Sequence, residues 1–140
     1  MIGDSKKRPH ERLDVWRDAM ALVVSIYQFS DRFPDGEKFG LTFQMRRAAV
    51  SVPSNIAEGA ARRSTQEAIR FLSIARGSLA ELETQVQIAE RLGFTSVPAE
   101  LSELLDQTFA RLNALIVSLD KRAALRSFQS PITNHKSHAR

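Results

Sequence analysis

FGLTFQMRRAAVSVPSNIAEGAARRS, residues 39–64, decides how the rest of the chain is read. Stepped at about 100° per residue, Leu41, Met45, Ala48, Ala49, Val52, Ile56 and Gly59 fall on one face of a helix. Phe43, Val50 and Ala57 recur every seven residues on the opposite side, flanked by Arg46 and Arg47. A helix that only closes its own domain needs one apolar stripe. The second stripe asks for a second neighbour. Pro53 lacks an N–H and presses on the carbonyl of Ala49, so a kinked helix over 39–61 is expected, with Ser51 and Ser54 placed to satisfy freed carbonyls. A break at Ser51, with a serine capping a new short helix, is the alternative.

Three more helices flank this one. Upstream, an apolar pattern starts at Leu13 and runs to Phe33, where Pro34 and a PDGE turn stop it. Its polar arc, which includes Asp18, is narrow, and apolar side chains occupy roughly twice the width a surface helix needs. Downstream, Ser64-Thr65-Gln66-Glu67 is a capping box that opens a third helix. Its stripe, Ala68, Leu72, Ala75, Leu79, Leu82, Val86 and Ala89, alternates four and three residues apart, the seam of a left-handed bundle. Ile74, Ile88 and Leu92 lie off that seam, and Gly93 is placed to end the helix. Pro98 opens a fourth helix with Ser96 or Val97 as its cap. Leu101, Leu105, Thr108, Leu112, Leu115 and Leu119 give that helix one stripe, and Glu100, Glu103, Gln107 and Arg111 form its water-facing side.

The expected fold is all-α: an antiparallel up-down-up-down four-helix bundle over residues 13–125, with helix 2 kinked at Pro53. Residues 1–12 are expected to be a flexible basic arm and residues 126–140 a disordered basic tail. Helices 1, 2 and 3 carry more apolar surface than one core explains, so Phe43, Val50, Ala57, Ile74 and Ile88 are assigned to a homo-oligomer interface.

Composition bounds the chemistry. The 140 residues are 43% hydrophobic and 26% charged, with no cysteine, so disulfides and thiolate chemistry are excluded. No apolar run reaches the ~18 residues of a membrane span, and the first residues lack the apolar core of a secretory signal. A cytoplasmic protein without membrane contact is expected. The net charge of +4 is uneven: residues 13–120 hold eleven basic and fourteen acidic side chains, so the positive excess sits at the two ends. The tail bases, Lys121, Arg122 and Arg126 among them, offer loose, salt-sensitive affinity.

Several stretches carry a resemblance to a known family. LDVW (13–16), FGL followed by Gln44, Arg46 and Arg47, SVPSNIAEG (51–59) and FLSIARGSLAELE (71–83) resemble bacterial four-helix-bundle proteins encoded in intervening sequences of 23S ribosomal RNA genes. The accessory variability proteins of diversity-generating retroelements are similar. The resemblance implies a ring-like homopentamer with no known catalytic activity. In the retroelement members it implies basic surface that contacts nucleic acid and a reverse transcriptase. The polar positions it carries over are Arg46, Arg47, Asn55, Glu58, Arg62 and Arg76.

Enzymatic constellations are missing from the sequence. The three histidines, His10, His135 and His138, lie near the ends, where neither a metal pair nor a catalytic triad is pre-organised. No phosphate-binding glycine loop is present. No catalytic residue, cofactor, metal or small-molecule substrate is expected. Two sets of polar residues stand out instead. Asn55 and Glu58 are read as a structural network, Glu58 pairing with Arg62 or reaching Arg76, against a polar site at the proline. Arg46, Arg47, Arg62, Arg63, Arg70 and Arg76 are the densest basic set: either a surface for RNA or a nucleic-acid enzyme, or ion pairs with Glu81, Glu83 and Glu90. The alternative to an RNA role is a protein-interaction scaffold.

Overall fold

The computed structural model describes residues 8–128. Four helices account for most of them: α1 (Asp14–Ser30), α2 (Leu41–Ala60), α3 (Thr65–Arg91) and α4 (Ala99–Phe128). Single 3-10 turns stand at Pro9–Arg12 and Asp35–Glu37. There is no strand among the described residues. Each helix packs on its neighbours in sequence, and α1 closes the ring against α4. Contacts pair Gly59 with Ala68 and Ser51 with Ser78. They pair Arg126 with Thr65 and Asn113 with Arg76. In both pairs of helices the partners move apart in number along the chain, as antiparallel neighbours must.

The core is the four inner stripes meeting. Val15, Ala19, Leu22, Ile26 and Phe29 come from α1, and Met45, Ala48, Ala49, Val52 and Ile56 from α2. Leu72, Ala75, Leu79, Leu82, Val86 and Ala89 come from α3, and Leu101, Leu105, Leu112 and Ile116 from α4, with Thr108 buried among them. At one end Phe33 closes the core, its ring 5.4 Å from both Phe29 and Phe94. On α4 Leu115 and Leu119 are only half-buried, and Ile116 takes the inner place. The stripe expected from spacing drifts there as α1 runs out, Asp18 near its start already meeting Arg111, while α3 continues alongside.

Helix ends depart from expectation by a few residues for identifiable reasons. Helix α1 stops at Ser30 rather than Phe33: the amides of Arg32 and Phe33 turn back to Phe29 and Ser30 in a tightened last turn. Glu37 caps α2 by accepting from the Leu41 amide at 3.0 Å, leaving Phe39 outside the helix and 85% exposed. Helix α2 runs through Pro53 without interruption, so the break at Ser51 does not occur. The serines do not serve the Ala49 carbonyl. Ser54 donates to Val50, and Ser51 shares a 2.8 Å bond with Ser78 across to α3.

The other caps follow their residues. Ser64 accepts from the Glu67 amide at 3.1 Å. Gly93 takes φ +75°, letting the Phe94 amide reach Ala89 and the Gly93 amide reach Glu90, a Schellman end. Pro98 itself, not Ser96 or Val97, precedes α4, its carbonyl accepting from Ser102. At the other terminus α4 continues to Phe128, three residues past the expected boundary, and Pro9–Arg12 is a turn packed on α1 and α2. The remaining residues assigned to the arm and tail, 1–7 and 129–140, lie outside the described residues.

Two glycines test this packing. A Cβ on Gly59 would lie 3.1 Å from the Ala68 carbonyl and 3.3 Å from the Phe71 Cβ, both on α3, whereas one on Gly77 would meet nothing. Gly77→Ala should therefore raise stability by about 0.5–1 kcal/mol, the ordinary helix gain. Gly59→Ala should lower it by about 1 kcal/mol because the clash outweighs that gain. Urea unfolding of both variants checks this; equal stabilisation would mean that α2 and α3 are not in close contact at Gly59.

Candidate functional site

The arginines chosen from sequence do not form one cluster. They divide along the bundle according to what the helix ends offer them. Arg46 projects from α2 onto the last turn of α1. Its Nε donates to Ser30 Oγ at 2.9 Å, its terminal nitrogen reaches the Tyr27 carbonyl at 3.3 Å, and Asp31 lies 3.9 Å away. The guanidinium also stacks 4.4 Å from the centre of the Tyr27 ring. This is a C-terminal clamp, a cation on a hydroxyl and a carbonyl of the last turn at the negative end of a helix. Arg47, one residue on, is exposed and sits over Phe43 at 6.0 Å. Arg76 is held to α4 by a 3.1 Å bond to Asn113.

Arg62, Arg63 and Arg70 gather at the opposite end. The reason is local. Helix α2 ends as the Ala61 and Arg62 amides close on Ala57 and Gly59, and Ser64 starts α3 at once. Gly59 brings the two helices together just before the turn, so the connector is short and its arginines are exposed. Arg62 forms an ion pair with Glu58 and lies 4.5 Å from the Phe71 ring, with Arg70 5.4 Å from the same ring.

Beside this connector the last turns of α4 outrun the core. Arg126 donates to Thr65 Oγ1 at 2.9 Å, fixing α4 to the start of α3. Between them opens a cleft of about 460 Å³. Its floor is apolar: Leu13, Ala68, Leu72, Leu115 and Leu119. Its rim is Arg62 and Arg63 from the connector and Arg122 and Arg126 from α4. No carboxylate is among the described residues that line it. Arg63 and Arg122 make no hydrogen bond or ion pair among the described residues, and the positive end of the α3 dipole points the same way in sign.

Arg122 and Arg126 were legible in a way that the tail assignment hid. Leu115, Leu119, Arg122 and Arg126 continue the four-three-four spacing of the α4 stripe, so the arginines stand in line with the leucines. The stripe continues past its last leucine with charges.

The polar network also differs in membership. Asn55 donates to the Ser51 carbonyl at 2.9 Å and to Ser51 Oγ at 3.0 Å, which links it through Ser51 to Ser78 on α3. Glu58 is exposed and pairs with Arg62; it does not join Asn55, and Arg76 is bound elsewhere. The network missed in sequence is Asp18, Gln107 and Arg111. Asp18 is buried and accepts from Gln107 at 2.9 Å and from Arg111 at 2.9 and 3.1 Å, tying α1 to α4. Gln107 and Arg111 are therefore not a purely water-facing pair, and the narrow polar arc of α1 is what made room for them.

A second concavity, about 620 Å³, lies between α1 and α2 at the Arg46 end, lined by Tyr27, Phe39, Phe43 and Val50 with Lys38, Arg46 and Arg47. Phe43, Val50, Ile74 and Ile88 remain 50%, 42%, 43% and 42% exposed, and Ala57 is half-buried. Their outward direction agrees with the two-sided reading of α2 and α3. His10 packs edge-on against Trp16 at 5.0 Å, and His135 and His138 fall outside the described residues. Among the described residues no helix is long and apolar enough to cross a membrane, and no group of three metal-ligating side chains assembles.

Fold and site together define an all-α four-helix protein whose distinctive surface is a cationic cleft at one end. The sequence model of the 23S rRNA-intervening sequence protein family matches residues 11–117, and the chain belongs to that family. No curated protein matches it. The family match covers α1 to α3 and α4 as far as Val117, so Arg122 and Arg126 lie beyond it.

The Arg46 clamp gives a direct test. Arg46→Ala should destabilise the bundle by about 1–2 kcal/mol, since charge-assisted bonds to Ser30 and Tyr27 are lost. Loss of protection at the end of α1 in hydrogen exchange should accompany it. Unaltered stability would show the clamp contributes nothing.

Proposed function

We propose that this protein is a non-enzymatic bundle that assembles with itself and associates with RNA through its arginine-rimmed end. The observation that carries the reading is the rim: four guanidiniums around one cleft with, among the described residues, no lining carboxylate and no hydrogen bond or ion pair to two of the four. The span 13–120 is net acidic, so this end runs against the average of the bundle. Guanidinium groups without counterions match phosphate in geometry and charge. The family description, which refers to 23S rRNA, supports RNA as the class of partner. In this reading the protein needs no cofactor, metal or small-molecule substrate, and works in the cytoplasm.

Self-assembly rests on the apolar side chains that α2 and α3 direct outward. Burial of a Phe or an Ile contributes about 1.5–3 kcal/mol when complete, so four half-exposed side chains are a substantial incentive to associate. Five copies in a ring is the number the family resemblance implies. A protein-interaction scaffold is the second reading, favoured by the aromatic groove of Tyr27, Phe39 and Phe43, which a foreign helix would also fit.

Two measurements separate these readings. Affinity for single-stranded RNA should fall linearly on a log–log plot against salt. It should also fall more than about ten-fold in Arg63→Glu/Arg122→Glu, a variant whose helix content and assembly stay intact, since neither arginine holds a structural contact. Unchanged binding in that variant removes the cleft from the RNA surface; absence of RNA binding in the parent leaves the scaffold reading.

Val50→Glu should shift the assembly seen by light scattering to smaller species while thermal unfolding of the bundle persists. An assembly indifferent to Val50→Glu moves the interface elsewhere.

A further inference from the structure

The cleft differs from a general phosphate-binding surface in one respect: its cationic rim encloses an apolar floor. Leu115 and Leu119 continue the stripe that buries Leu112, yet they remain half-exposed at the foot of the core. A duplex presents phosphates outward and keeps its bases stacked inside, so it has nothing to lay on such a floor. The end of a strand has both parts. Resting on the reading of this end as the RNA surface, we infer that the cleft seats the 5′-terminal nucleotide of an RNA chain, its phosphate monoester on the guanidiniums and its base against the leucines.

Charge and shape converge on this occupant. A terminal monoester carries close to two negative charges at neutral pH, whereas an internal diester carries one. Arg62 and Arg63 come from the connector and Arg122 and Arg126 from successive turns of α4, so the donors flank the cleft from two elements. Two of them, Arg63 and Arg122, have no other partner among the described residues. The volume of about 460 Å³ is within the roughly 300–1,000 Å³ of pockets that take small organic ligands. The two acids flanking the connector in sequence, Glu58 and Glu67, are both outside the lining, although Glu58 pairs with Arg62. Leucine is a sequence-tolerant surface for a base, so discrimination between bases is not expected; recognition is of the end itself.

The experiment compares two short single-stranded RNAs of identical sequence, labelled at the 3′ end, one with a 5′ monophosphate and one with a 5′ hydroxyl. Binding to the full chain is followed by fluorescence anisotropy at physiological salt. The monophosphate RNA should bind about ten-fold more tightly, and Arg63→Gln/Arg122→Gln should erase the difference while leaving weaker binding of both. Leu119→Gln should weaken the monophosphate RNA more than the hydroxyl RNA, with circular dichroism confirming the fold. Equal affinity for the two RNAs, both still salt-sensitive, overturns the terminal-nucleotide site but leaves the RNA surface standing. No binding of either RNA overturns both readings. A nucleoside 5′-monophosphate that displaces the RNA at the same concentration as the RNA itself assigns the cleft to a free nucleotide and overturns the chain-end proposal.

Discussion

Even a methyl group at Gly59 would crowd α3, its Cβ 3.1 Å from the Ala68 carbonyl and 3.3 Å from the Phe71 Cβ. The missing Cβ lets the Ala68 carbonyl come within contact of the α2 backbone, one turn before the chain reverses. Much else depends on that approach. It keeps the connector short, brings the Ser64 cap under the end of α2, and puts Arg62 and Arg63 beside the first turn of α3. Further along the same pair, Ser51 and Ser78 meet at 2.8 Å, another contact that only small residues permit. The small inner face of α2 is thus a condition for the cleft as well as for the core.

Most of the architecture could be read from the sequence because spacing carries it. The inner stripes of α2 and α3, the Ser64 cap and the Gly93 terminus all rest on local rules, and local rules are written in neighbouring residues. The Asp18 network was not readable, since Gln107 and Arg111 are some ninety positions away and nothing in either helix announces its partner. The six arginines failed as a cluster for the same reason. Proximity in number placed Arg46 with Arg47 and Arg62 with Arg63, but only the packing of the chain decides that Arg46 reaches the end of α1 while Arg47 stays exposed over Phe43, and that Arg62 and Arg63 stand at the opposite end across from Arg122 and Arg126. Arg122 and Arg126 were set aside with the tail, although their phase with Leu115 and Leu119 was visible.

The folded arginines divide their work by what surrounds them. Arg46 stands on the Ser30 hydroxyl, the Tyr27 carbonyl and the Tyr27 ring, Arg76 on Asn113, and Arg111 on a buried carboxylate. Those three are occupied by the protein. Arg47, Arg63 and Arg122 are exposed, and Arg63 and Arg122 share one concavity. A basic composition is therefore a poor guide to ionic surface here. The guide is which guanidiniums are left without a partner among the described residues.

The last turns of α4 are a separable register. Beyond Ile116 little of the helix is needed to close the interior, yet its charges must keep phase with the leucines below them. Inserting a single residue after Leu119 would swing Arg122 and Arg126 by about 100° around the axis, out of line with the floor, and leave the interior undisturbed. The bundle can thus drift in its terminal sequence at the cost of little more than the Arg126–Thr65 contact, while the electrostatic face it offers is gained or lost by the count of residues.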